Sequence, residues 1–204
     1  GIRFLQRRGA NREGGQSAET LFEEAQAAHE RGDLERALEL YEAATQADPQ
    51  MIPAYMEAAG ILLDMGRDEA ALAALMRGVE ANPDVLELHS MTAGVALLSK
   101  SLEVAESEVK WMLETLPDDP LTHAFDGVLM LEQGRPCDDA RPTLDKALRA
   151  KPDLVWAHYG MALCLAQEGN QEGAREELFF VLDHPETPVP LRKNAEELMA
   201  RLEG

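Results

Sequence analysis

The sequence predicts an all-α chain, a solenoid of about five stacked helix-turn-helix units closed by one further helix, and three observations carry that prediction. Pro49, Pro83, Pro117 and Pro152 recur at intervals of 34, 34 and 35 residues, each ending a stretch that reads helix, turn, helix. A unit of that length cannot bury its apolar face alone and must stack on copies of itself. Between the two helices of each unit a glycine recurs as Gly32, Gly66, Gly134 and Gly169, with Lys100 in its place in the third copy. Small residues also return at fixed places, as Ala25, Ala59, Ala93, Gly127 and Ala162 in the first helix and Ala37, Ala71, Ala105, Ala140 and Ala174 in the second. Two helices cross closely only where no bulky side chain holds their backbones apart. These positions therefore mark the contact within each hairpin.

Taken in order, residues 1–17 form a basic tail outside the repeats, and the first unit spans 18–51. Ser17 is a plausible N-cap, the chain turns at Arg31-Gly32-Asp33, and Leu34, Ala37, Leu38, Tyr41 and Ala44 place an apolar stripe on the second helix. The second unit, 52–85, turns at Met65-Gly66-Arg67 and has the most Ala-rich second helix. The third, 86–119, is preceded by Asp84, three residues before Glu87, a capping-box-like spacing, and its turn offers Ser101 as the next N-cap. The fourth, 120–154, opens with Asp119 as N-cap and Pro120 at the first helical position. Its turn, Gly134 to Ala140, is one residue longer than its counterparts, and Pro142 falls inside the second helix, which is expected to begin late or bend. The fifth, 155–188, turns at Glu168-Gly169-Asn170. Within 189–204, Leu191, Ala195, Leu198, Met199 and Leu202 share one face, as expected of the capping helix that keeps a terminal repeat from exposing its apolar side.

The run Glu35-Arg36-Ala37-Leu38-Glu39-Leu40-Tyr41-Glu42-Ala43-Ala44, closed by Asp48-Pro49, resembles the second helix of a tetratricopeptide repeat. The resemblance extends over roughly residues 18 to 185, about five concordant copies. It implies a right-handed superhelix with a concave inner face lined by the first helix of each repeat. It also implies binding of another protein rather than catalysis, and it names no partner.

Composition limits the function classes. A net charge of −19 argues against nucleic acid, which needs a basic stripe to neutralise phosphates. Aromatic residues are only 5% of the chain, which suits Ala- and Leu-rich helix packing. Against the acidic repeats, the tail carries Arg3, Arg7, Arg8 and Arg12 and only Glu13. Two readings of this tail stand open: a flexible start, or the cytoplasmic flank of a transmembrane helix outside the sequence given. The expected location is cytoplasmic, including the cytoplasmic face of a membrane. Cys137 and Cys164 lie in different repeats without metal-ligand spacing, so neither a zinc site nor a disulfide framework is indicated. No nucleophile motif, phosphate loop or zinc-protease motif is present, and no metal or cofactor is expected.

His89, His123 and His158 stand at the fourth place of the third, fourth and fifth units, where the second has Tyr55. Successive repeats hold equivalent positions about 8–10 Å apart or more, too far for a shared ion. The histidines are therefore read as packing residues in the hairpins.

On the resemblance, the second, fifth, ninth and twelfth residues of each unit face inward. The candidate partner-binding groove is Phe22, Met56, Leu63, Leu97, Val128, Leu131, Trp156, Tyr159 and Leu163. Trp156 and Leu163 read equally well as packing residues of the last repeat. None of the inner positions is Lys, Arg or Asn, the residues with which related proteins grip a C-terminal carboxylate, so the expected ligand is an apolar or amphipathic segment. Glu19, Glu23, Glu30, Glu57, Asp64 and Glu132 near the rim favour basic residues in that partner. Alternatives are a self-assembling scaffold, in which the groove takes the tail or final helix of another copy, and a regulatory subunit of a membrane-tethered enzyme complex.

Overall fold

The computed structural model describes residues 15–204, so the expectations for the basic tail fall almost wholly outside the described residues. Among the described residues there are eleven α-helices and no strand: α1 (Ala18–Glu30), α2 (Leu34–Ala47), α3 (Ile52–Asp64), α4 (Asp68–Ala81), α5 (Leu86–Leu98), α6 (Leu102–Thr115), α7 (Pro120–Glu132), α8 (Cys137–Ala150), α9 (Val155–Gln167), α10 (Gln171–Asp183) and α11 (Val189–Glu203). The first ten pair as five antiparallel hairpins, and the second helix of each packs on the first helix of the next. Each hairpin turn contains one residue in the left-handed region: Gly32, Gly66, Gly134, Gly169 and, in the third hairpin, Lys100 at φ 60°.

The small residues perform the expected task. Ala25, Ala37, Ala59, Ala71, Ala93, Ala105, Ala140, Ala162 and Ala174 have no exposed surface, because the facing helix sits directly on them. Ser17, Asp119 and Asn170 cap α1, α7 and α10 by accepting the backbone N–H three residues on. One local expectation is not met. Val85 holds the N-cap position of α5, which leaves Asp84 outside the first turn and without a capping bond. α8 begins at Cys137, after a turn one residue longer than in the other hairpins, and continues through Pro142.

The stack is not uniform. α5, α7 and α9, the first helices of the last three hairpins, pack on one another directly. Glycines permit this. A Cβ on Gly94 of α5 would come within 3.1 Å of the Trp156 indole on α9, and one on Gly127 or Gly160 would strike Leu144 of α8 at 2.5 Å. α11 caps α10 as expected and also returns to touch α3 and α5. An end cap alone would have no contact with the second and third hairpins. α11 lies across the inner side of the stack.

Candidate functional site: the concave face

The inner face is built by α3, α5, α7 and α9 and is partly covered by α11. Of the residues expected to line it, Leu97, Val128, Trp156 and Tyr159 are buried, while Phe22, Met56, Leu63, Leu131 and Leu163 are half-buried. The tight packing of the last three hairpins turns part of the expected lining into core. Trp156 meets Phe125 edge to face at 4.8 Å and Tyr159 at 6.5 Å. Phe22 rests on Tyr41 at 5.5 Å inside the first hairpin. Leu131 joins the cluster of Cys137, Leu144 and Cys164. Met56, Leu63 and Leu163 border the main core, to which α11 contributes Leu191, Ala195, Leu198 and Met199.

What stays open is a cavity of about 290 Å³ between the helices and the start of α11. Leu63, Met91, Leu98, Leu121, Phe125 and Trp156 line it, with Pro188 and Pro190 forming one wall. Met91, Leu98, Leu121 and Phe125 lie outside the nine candidates. Leu121 nevertheless stands at an expected inward place, the second residue of its unit, whereas Met91 and Phe125 follow the fifth place of theirs and Leu98 the twelfth. The electrostatic setting is one-sided, since the five first helices contain no Lys or Arg. Glu57, Asp64 and Glu87 are exposed on the two helices that α11 touches. Burial raises the pKa of Asp126 on α7, against the lowering influence of His123 and Arg135.

The three histidines do pack within hairpins, and two of them do more. His89 is stacked on Trp111 at 3.6 Å, with Nδ1 2.5 Å from Glu108 Oε2 and Nε2 2.7 Å from the Pro83 carbonyl. His158 repeats the arrangement with Phe180 at 3.8 Å, Glu177 at 2.5 Å and the Pro152 carbonyl at 2.8 Å. Tyr55 makes the equivalent bond in the second hairpin, donating its hydroxyl to the Pro49 carbonyl. Each of these side chains ties its first helix to the proline loop before it. In the fourth hairpin the longer turn shifts the register, and Thr143 stands where the others have glutamate. His123 Nε2 is there buried without a partner. Among the described residues no group of three or more His, Cys, Asp or Glu is gathered as a metal site.

The unusual turn of the fourth hairpin is also where the structure departs furthest from expectation. Cys137, the first residue of α8, and Cys164 of α9 form a disulfide with Cα atoms 4.8 Å apart, both residues being buried. Spacing alone does not show it, because the pair is created by stacking one repeat on the next. Gln167 reinforces the junction: its Oε1 accepts from the Cys137 N–H at 2.6 Å and its Nε2 donates to the Arg135 carbonyl at 3.0 Å. Arg141 pairs with Glu168 at 2.6 Å across the same boundary.

Comparison with known proteins agrees with this geometry. No curated protein sequence matches the chain. Among solved structures, MamA from Desulfovibrio magneticus RS-1 (residues 41 to the end) superposes with a TM-score of 0.63 at 14% identity, over 93% of this chain and 99% of that one. TTC0263, a thermophilic protein of Thermus thermophilus described as having tetratricopeptide repeats, gives 0.59 at 20% identity over 90% and 100%. YrrB, described as a protein of the same kind with an unusual peptide-binding site, gives 0.58 at 20% identity over 89% and 91%. At such identities the likeness is one of fold, the superhelical solenoid. Two family models, both described as tetratricopeptide repeat, match residues 28–95 and 128–180, together more than half of the sequence. With the 34-residue period, the five hairpins and the small residues at each crossing, these matches establish that the chain belongs to the tetratricopeptide repeat family.

Proposed function

We propose that the protein is a non-enzymatic adaptor whose concave face binds an apolar or amphipathic segment of another protein, preferably one with basic residues. The observation that carries this reading is the open apolar cavity between α3, α5, α7 and α9, set in a face whose helices include acidic side chains but no Lys or Arg. Contiguous apolar surface left open marks a partner site, and methionine and aromatic side chains suit one because they adapt and bury much area. The family is one of protein interaction modules, and the structurally similar YrrB has a peptide-binding site. Of the expected groove residues, Leu63 and Trp156 line this cavity, and Met56 lies two turns before Leu63 on α3.

The test replaces Leu63, Met91 and Leu98 by Ser together and compares affinity capture with the parent chain, with circular dichroism and melting as controls for folding. Loss of a specific partner while the fold is kept supports the groove. Retention of every partner places binding elsewhere.

Among the described residues no helix is long and apolar enough to cross a membrane. The Cys137–Cys164 bond favours an oxidising compartment over the cytoplasm, where thiols are kept reduced.

A further inference from the structure

We propose that α11 is the resident occupant of the groove and that a partner, a basic amphipathic helix, binds by taking its place; this rests on the concave face being the binding site. α11 is itself an amphipathic helix seated on that face. Leu191, Ala195, Leu198 and Met199 are buried and belong to the same core as Val128, Trp156 and Tyr159. Its contacts with α3 and α5 lie three and two hairpins away from the α10 end that a cap needs to cover. The groove therefore accepts a helix with apolar residues at this spacing.

The hydrogen bonds that tie α11 to its neighbours lie at its two ends. Arg192 donates to the carbonyls of Leu182 and His184, and Arg175 donates to the Leu202 carbonyl at 2.8 Å. Two prolines, Pro188 and Pro190, punctuate the connection from α10 and form one wall of the open cavity. A helix entering that cavity meets the start of α11 first.

Charge decides which helix wins. The polar side of α11 carries Arg192, Lys193 and Arg201 against Glu196, Glu197 and Glu203, so it is electrically balanced. The helices beneath it present Glu57, Asp64 and Glu87 and no Lys or Arg. A helix with the same apolar spacing and a basic polar side gains an attraction that α11 lacks, and opposite charge across an interface also speeds encounter. That gain weakens with salt.

The experiment uses the intact chain and two synthetic probes: a peptide of residues 187–204, and the same peptide with Glu196→Lys, Glu197→Lys and Glu203→Lys. The basic peptide is expected to bind at least tenfold more tightly than the parent peptide at low salt, with the difference shrinking as salt is added. Its binding is expected to speed amide hydrogen exchange throughout α11 while α3, α5 and α9 become no faster. In a Leu198→Ser chain, where α11 is loosened, both peptides should bind about tenfold more tightly. Binding of the basic peptide with α11 exchange unchanged would overturn displacement and leave the groove reading standing. Failure of both peptides to bind the intact chain would overturn the groove reading as well. Should Leu198→Ser fail to fold, the exchange measurement on the intact chain still decides.

Discussion

A single backbone angle shows how the repeat signal is written at the level of residues. Four hairpin turns use glycine in the left-handed region, where a side chain costs about 1–2 kcal/mol. A Cβ on Gly66 would meet nothing within 4 Å, so Gly66→Ala isolates the backbone cost and should lower unfolding stability by about 1–2 kcal/mol, read from urea midpoints. The third hairpin accepts that cost at Lys100, whose ammonium pairs with the largely buried Glu132 of α7. The His158–Glu177 pair gives a second prediction. Burial alone would lower the pKa of His158, but the hydrogen bonds its ring donates to Glu177 and the Pro152 carbonyl, with the charges of Glu177 and Asp153, outweigh it and raise the value. The unfolded chain titrates this group near 6.5. Its contribution to stability is therefore complete below that pH and is lost as pH rises through the raised folded value. Urea midpoints measured from pH 6 upward should fall over that range, and Glu177→Gln should flatten the fall. An identical slope in the variant would show that another group sets it.

At the scale of elements, packing around Leu144 holds three helices together. Gly127 of α7 and Gly160 of α9 admit Leu144 from α8, which is fully buried between them. Gly160→Ala should cost about 1–3 kcal/mol by overpacking, and Leu144→Ala about 2–5 kcal/mol by leaving a cavity. In the double variant the two costs should fall short of their sum, because the added methyl enters the space vacated. Strict additivity would mean that the helices move apart instead. The period, the turn glycines and the alanine crossings made these hairpins legible in the sequence, since each is a local pattern repeated four or five times. The groove was less legible. Trp156 and Tyr159 occupy inward places in the repeat, yet Gly94 lets the indole of α9 lie on α5, and inward becomes buried. Met91 and Leu98, one residue beyond the expected inward places, enter the cavity through the same winding, which depends on contacts between hairpins that no single repeat encodes. The return of α11 to α3 has the same origin.

For the whole molecule, the consequence of stacking is that stability is a sum of hairpins and the junctions between them, so a strap at one junction acts regionally. The disulfide joins the fourth hairpin to the fifth across a sequence separation of 27, at the turn whose extra residue breaks the period. In the chain-entropy account, closing a loop of that size stabilises by about 3–4 kcal/mol, and native disulfides typically deliver about 2–5 kcal/mol. Reduction should therefore lower the urea midpoint of the intact chain, and Cys137→Ala with Cys164→Ala should reproduce the reduced form. The loss should be confined. Hydrogen exchange after reduction should rise in α8, α9 and the α10–α11 end that rests on them, while α1 and α2, at the opposite end of the stack, keep their protection. Because α9 supports Trp156 and α11 covers the groove, reduction should also make α11 easier to displace. Thiol titration of the folded, unreduced protein supplies the opposing result: two free thiols, with a midpoint insensitive to reductant, would mean that the stack holds this junction by Gln167, Arg141 and packing alone.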